Sequence, residues 1–251
     1  SASIERVFEQ YVYADDGNAL ASVVNDGAIA LNAAAVVTGT GSSGDADADV
    51  DTVIYQYASN SGTGDASVVY SGTGTIDLSA ISTHNGDVLA NSDVDLNRVI
   101  YQSASADDGS ALASVVIGGD VAISGVAVAN GAGTAISSGA SADVGMDALV
   151  YQSVSADSGS ALAVASIATG VAVDVNLAAG AADTGSAEAD ASAAFDSYVL
   201  YQSAQADDGD AGVAFVNNGA LSISLAADAA ADGGSASATA SPCRAPMPAS
   251  S

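Results

Sequence analysis

Tryptophan and lysine are both missing from this chain of 251 residues, which also has only 3 Phe, 2 Met, 3 Pro, 1 Cys and 1 His. Without Trp and with so little Phe and Met, the aromatic anchors of a thick globular core are not available. The 49% hydrophobic content is largely alanine, so the expected core is thin, built from Ala, Val, Ile and Leu. One cysteine excludes an internal disulfide and a structural zinc site. The three basic residues, Arg6, Arg98 and Arg244, face 30 acidic ones, for a net charge of -27. Nucleic acid and anionic membrane surfaces repel such a chain. No apolar run reaches eighteen residues, so no segment reads as a membrane-spanning helix. High charge with few aromatics can signal disorder. Here β-branched residues recur at fixed places and charged residues make up only 13%, which favours an ordered chain.

The residues that usually do chemistry are scarce as well. Acid, base and nucleophilic catalysis draw on His, Cys, Lys or paired carboxylates in a concave site, and the chain is not expected to be an enzyme. His84 lies in Ser82-Thr83-His84-Asn85-Gly86, which reads as a solvated turn. Gly39-Thr40-Gly41 lacks the lysine and helix that would make a phosphate loop. Cys243, between Pro242 and Arg244, is a candidate intermolecular thiol.

What the chain does have is repetition. Val7-Phe8-Glu9-Gln10 recurs as Val53-Ile54-Tyr55-Gln56, Val99-Ile100-Tyr101-Gln102, Leu149-Val150-Tyr151-Gln152 and Val199-Leu200-Tyr201-Gln202, with Gln intervals of 46, 46, 50 and 50 residues. Four residues past the Gln come Ala14-Asp15-Asp16-Gly17, Ala106-Asp107-Asp108-Gly109, Ala156-Asp157-Ser158-Gly159 and Ala206-Asp207-Asp208-Gly209; the second unit departs with Asn60-Ser61-Gly62-Thr63-Gly64. The organisation expected is an N-terminal extension 1–6, repeats at 7–52, 53–98, 99–148, 149–198 and 199–235, and a Pro-containing tail 236–251.

Each unit reads as four short β-segments: one around the Gln, one ending in a Val-Val pair, one like 28–37 and one like 45–52. Asp45-Ala46-Asp47-Ala48-Asp49-Val50-Asp51 alternates with period two, placing its carboxylates on one face and Ala46, Ala48 and Val50 on the other. Continued, that strand turns Ile54, Gln56 and Ala58 inward and Val53, Tyr55 and Tyr57 outward. A buried amide must be satisfied, and stacking lets each Gln bond to its counterpart. Gln10, Gln56, Gln102, Gln152 and Gln202 are therefore expected to form one ladder, and Tyr55, Tyr101, Tyr151 and Tyr201 a second on the opposite face, with Glu9 in place of the first Tyr.

The fold class expected is all-β, five tandem repeats forming a β-solenoid-like stack. At two coils per unit this gives about ten rungs, a rod of roughly 48 Å. The dipeptides Asp16-Gly17, Asp26-Gly27, Asp108-Gly109 and Asp208-Gly209 suit tight turns with φ > 0. They keep open the alternative of an antiparallel β-sandwich or meander completed by strand exchange between subunits. Asp15, Asp16, Asp107, Asp108, Asp207 and Asp208 recur at one turn and are weak calcium candidates, with no other cofactor expected. The small residues Ser1-Ala2-Ser3 and the acidic, Lys-free composition lead to the expectation of a secreted protein, extracellular or on the cell surface.

The recurring Gln, the Gly/Asn/Asp turns and the Ala/Ser/Val strands resemble curlin-type bacterial extracellular fibre subunits and, more loosely, the holdfast-anchor surface proteins of stalked bacteria. The resemblance implies secretion and self-assembly into β-rich fibres for adhesion or biofilm matrix, with the five Gln as ladder residues. Copies of the chain itself and a surface polysaccharide are the expected partners, with no nucleic acid and no membrane insertion. The alternative kept is a monomeric acidic cell-surface adhesin or calcium-binding β-repeat module.

Overall fold

The computed structural model describes residues 1–39, 43–86, 89–131, 139–184, 188–232 and 234–241, which hold strands and turns but no helix. Sheet A contains β1 (Ala2–Ile4), β2 (Phe8–Ala14), β5 (Ser43–Asn60), β8 (Leu89–Ala106), β11 (Gly139–Ala156), β14 (Glu188–Ala206) and β17 (Ala236–Ser241). Sheet B contains β3 (Ala19–Val24), β6 (Ala66–Ser71), β9 (Ala111–Ile117), β12 (Ala161–Ile167) and β15 (Ala211–Asn217). Sheet C contains β4 (Ala28–Gly39), β7 (Thr75–Gly86), β10 (Val121–Gly131), β13 (Ala172–Asp183) and β16 (Ala220–Ala231). Every pairing is parallel and no sheet closes into a barrel, an arrangement consistent with a β-solenoid or parallel β-helix.

This overturns the antiparallel alternative. The chain passes from sheet A to B to C and returns to sheet A one strand further on, so neighbouring strands are successive circuits rather than hairpin arms. The Asp-Gly corners bend the chain between sheets instead of reversing it. Of their four glycines only Gly17 has a left-handed φ, 86°. Gly27 meets nothing within 4 Å, whereas Gly109 and Gly209, with Gly64 and Gly159 at the same corner, serve close approach: a Cβ on Gly64, Gly109, Gly159 or Gly209 would strike the carbonyl oxygen of Gly17, Gly64, Gly109 or Gly159 on the circuit before it. The motif therefore encodes a seam between circuits.

Two further expectations change. One repeat makes one broad circuit, not two, because Gln10 pairs with Gln56 and Gln56 with Gln102 in adjacent strands. Five rows at about 4.8 Å give a stack roughly 24 Å tall. The segments read at 45–52 and around Gln56 are one strand, β5, 18 residues long. Its alternation breaks where Thr52, Val53 and Ile54 are all buried, so Val53 points inward, not outward. The same step recurs at Ala148, Leu149 and Val150. This bend lets one long sheet A face sheet C with its first half and sheet B with its second.

The two halves enclose different interiors. Between sheet C and the first half of sheet A lie Ile, Leu and Val with Met146 and Phe195, interleaved with alanine, and Tyr70, Val115, Ile117 and Ile167 of sheet B join this larger cluster. Between the first residues of the sheet B strands and the second half of sheet A the filling is almost all alanine, from Ala19, Ala58 and Ala66 to Ala161 and Ala163. Small side chains let those sheets approach closely, which is how a chain so poor in aromatics still excludes water.

His84 is also corrected. It is a fully buried residue of β7, whose inward side reads Ile76, Leu78, Ala80, Ser82, His84, Gly86. Its register neighbours Val37 and Ala129 leave room for the ring. The Asn91 N–H donates to Nδ1 at 3.2 Å, and among the described residues no group bonds Nε2. Nearby, Ser92 donates to Ser82 at 2.7 Å, and Ser82 donates to the Ala46 carbonyl.

Candidate functional site

The five glutamines stand in one column at the bend of sheet A, between the two interiors. Gln56 Nε2 donates to Gln10 Oε1 at 3.0 Å, Gln102 to Gln56 at 2.9 Å, Gln152 to Gln102 at 2.8 Å and Gln202 to Gln152 at 2.8 Å. Each amide also donates across to a sheet B strand of its own circuit: Gln10 to Ser22, Gln56 to Val69, Gln102 to Ser114, Gln152 to Val164 and Gln202 to Ala214, at 2.9 to 3.0 Å. The ladder has a direction, since Gln56, Gln102, Gln152 and Gln202 each donate to the glutamine of the circuit before, toward the N-terminal end. Gln56, Gln102 and Gln152 are fully buried, where an unmade hydrogen bond costs about 1–3 kcal/mol. The bonds therefore fix register.

On the outer face Tyr55, Tyr101, Tyr151 and Tyr201 stack with centroids 4.6, 5.2 and 4.5 Å apart and planes within 13° of parallel. Desolvation, then neighbouring phenols, pushes the Tyr151 hydroxyl above its ordinary range. Glu9 pairs in register with Tyr55, and Arg6 closes the column with its guanidinium 4.3 Å over the Tyr55 ring while ion-pairing with Glu9. Arg98 lies over Tyr151 at 4.9 Å and bonds Asp147 at 2.9 Å. Arg98 also lies 5.6 Å from the Tyr101 ring of its own strand, but the nearer rings, Tyr55 for Arg6 and Tyr151 for Arg98, belong to other segments, so neither role is legible along the chain. Cation–π contact of this kind contributes roughly 0.5–1 kcal/mol at exposed sites.

Beside the tyrosines runs an acidic face. Asp47, Asp93 and Asp143 share one register column, and Asp49 and Asp95 share the next but one. Desolvation by the flanking strands, then repulsion from Asp95, Asp143, Asp47 and Asp49, pushes the Asp93 carboxyl up to about 6. Asp49 is raised for the same reasons, with Asp95 and Asp47 as its neighbours.

The turn carboxylates Asp15, Asp16, Asp107, Asp108, Asp207 and Asp208 are all exposed at the corner between sheets A and B. They do not converge: Ser61 stands between the first and third circuits and donates to Asp15 at 3.2 Å. Among the described residues no three His, Cys, Asp or Glu side chains are grouped to hold a metal ion. Cys243 lies outside the described residues.

The two flanks of the repeats both join sheet A. Ala2–Ile4, within the expected extension, pairs with Ala48 to Val50, and Ala236–Ser241, within the expected tail, pairs with Ala189 to Ala194. The end circuits are open. Val213 and Phe215, in the inward columns of sheet B, are 55% and 44% exposed, whereas their neighbours Ala163 and Ala165 are buried. At the other end Phe8, Tyr11 and Tyr13 are exposed on β2. No family model, no curated protein and no solved structure matches this chain.

Proposed function

We propose that the chain is a β-solenoid of five tandem circuits that serves as the structural subunit of an extracellular fibre or surface layer, assembling end to end with copies of itself for adhesion or biofilm matrix. The observation that carries the reading is the pair of open ends. Among the described residues all three sheets stop with a strand that has one unpaired edge, and inward-column residues such as Val213 and Phe215 are exposed at the C-terminal end. Unpaired parallel edges with apolar side chains recruit further strands. The in-register glutamines give such growth a template, since each new circuit repeats the contacts already made inside the molecule. The working parts are ladders and edges rather than a concave catalytic constellation, and the acidic, Lys-free composition supports a place outside the cell.

Negative-stain microscopy and sedimentation of the purified chain test this. Concentration-dependent filaments with strands across the axis are expected; monodisperse monomers at high concentration, with and without calcium, would contradict it. A calcium-binding adhesin is the second reading, favoured by the stacked carboxylates of Asp47, Asp93 and Asp143. Calorimetric uptake of stoichiometric calcium by a persistently monomeric chain is its signature.

A further inference from the structure

We infer that β17 is a donated strand: one edge pairs with β14 of its own molecule, and the other docks under the uncovered first half of β5 in a second copy. The inference rests on end-to-end assembly and specifies its joint.

The register supplies the fit. Through the strand-to-strand pairings, Ala189 to Ala194 stand in the columns of Gly44 to Asp49. β17 covers those columns at the C-terminal end, from Ala236 on Ala189 to Ser241 on Ala194. At the N-terminal end β1 covers only Ala48 to Val50, and the edge of β5 from Gly44 to Asp47 has no strand beneath it among the described residues. The strand present at one end is the strand missing at the other. The rest of the row completes itself when the second copy's β2 lies on Leu200 to Ala206, its β3 on β15 and its β4 on β16. Only Ala2 and Ser3 of the second copy then compete with Ala240 and Ser241 for the same two columns.

Three features select a second copy as the occupant. First, the amide ladder is polar: Gln202 Oε1 accepts no bond among the described residues, and Gln10 Nε2 donates only to Ser22. A head-to-tail joint brings that donor to that acceptor; head-to-head or tail-to-tail joints do not. Second, the backbone of β17 points the right way. The Ala189 N–H donates to the Ser235 carbonyl at 3.0 Å. Parallel ladders alternate, so Ser237, Thr239 and Ser241 bond β14, while the N–H groups of Ala236, Ala238 and Ala240 face outward. Third, the outward side chains of β17 are Ser237, Thr239 and Ser241, all neutral. They would separate Asp190 from the second copy's Asp45, Asp47 and Asp49, sparing the joint the carboxylate-on-carboxylate stacking seen at Asp47, Asp93 and Asp143 inside the molecule. The chain's own residues beyond Ser241 are poor competitors for the open edge, because Pro242, Pro246 and Pro248 have no N–H to offer.

The test compares the intact chain, a chain ending at Ser241, a chain ending at Ser235 and Ala238→Pro, by critical concentration for polymer and by monomer melting. Ala238→Pro removes one outward N–H and none that bonds β14. The chain ending at Ser241 should assemble like the intact one. Ala238→Pro and the chain ending at Ser235 should need about tenfold more protein, with monomer melting little changed. In a Cys243→Ser background, Thr239→Cys chains mixed with Asp47→Cys chains should form disulfide-linked dimers. Wild-type assembly by both disrupted variants, or no cross-link in assembled polymer, overturns the strand donation and leaves end-to-end growth standing. Loss of assembly in the chain ending at Ser241 overturns it too, by moving the joint to the proline segment. An intact chain that stays monomeric overturns both.

Discussion

The third circuit and the fifth carry nearly the same sequence from Val99 to Gly109 and from Val199 to Gly209 but have opposite fates. Gln102 is fully buried between two neighbours, Gln202 only partly buried beneath one, and Ala113 is sealed where its register counterpart Val213 stands in solvent. The difference teaches that the repeat is not a folded unit by itself. Its core is made by the circuit above and the circuit below, as in other one-dimensional stacks. A molecule built this way has a stable middle and two unsatisfied ends.

The largest expected effect is at the glycine seam. Gly159→Ala sets a Cβ against the Gly109 carbonyl and should cost about 3–5 kcal/mol or prevent folding, whereas Gly180→Ala, which meets nothing within 4 Å, should be near neutral by chemical denaturation. Next is the ladder. Gln102→Ala breaks bonds to Gln56 and Ser114, strands the Gln152 donor and opens a cavity, and should cost about 2–4 kcal/mol. Gln202→Ala leaves the Gln152 acceptor unmade but strands no glutamine donor, so it should cost about 1–2 kcal/mol in the monomer, less than Gln102→Ala, while weakening assembly. Equal losses at the two positions would remove the contrast between middle and end.

The smallest effect concerns pH. The Asp93 carboxyl, raised to about 6 in the folded chain, titrates above its unfolded value, so its ionisation opposes folding. Stability should therefore rise as the pH falls from 7 through about 6 toward 4, and fall again as the pH is restored. Asp93→Asn should flatten the profile in that window and stabilise the chain at pH 7 by less than about 1 kcal/mol, because Asp93 still faces solvent. The change in melting temperature with pH in the two proteins is the check.

How far the sequence could be read follows from where each signal resides. The alternation of Asp45 to Asp51 and the recurring glutamines lie along the chain, and they placed Ala46, Ala48, Val50 and the amide column correctly. Three strands per circuit and their parallel course were not legible, since Asp-Gly chemistry suits a corner as well as a hairpin. His84 and Val53 were misplaced for a related reason. The room for His84 comes from Val37 and Ala129, and the inward turn of Val53 from a bend that only two facing sheets require. The arginine caps and the half-strands β1 and β17 likewise depend on partners about one circuit away.

Residue-resolved amide hydrogen exchange, measured first on dilute monomer and then on concentrated protein, tests the central claim most directly. β9 and β12 should be protected in both states, while β15, β16 and β2 should exchange rapidly in the monomer and slow down on assembly. Uniform protection along the monomer, or end strands that exchange equally fast at every concentration, would contradict an account in which the ends of the stack await another copy.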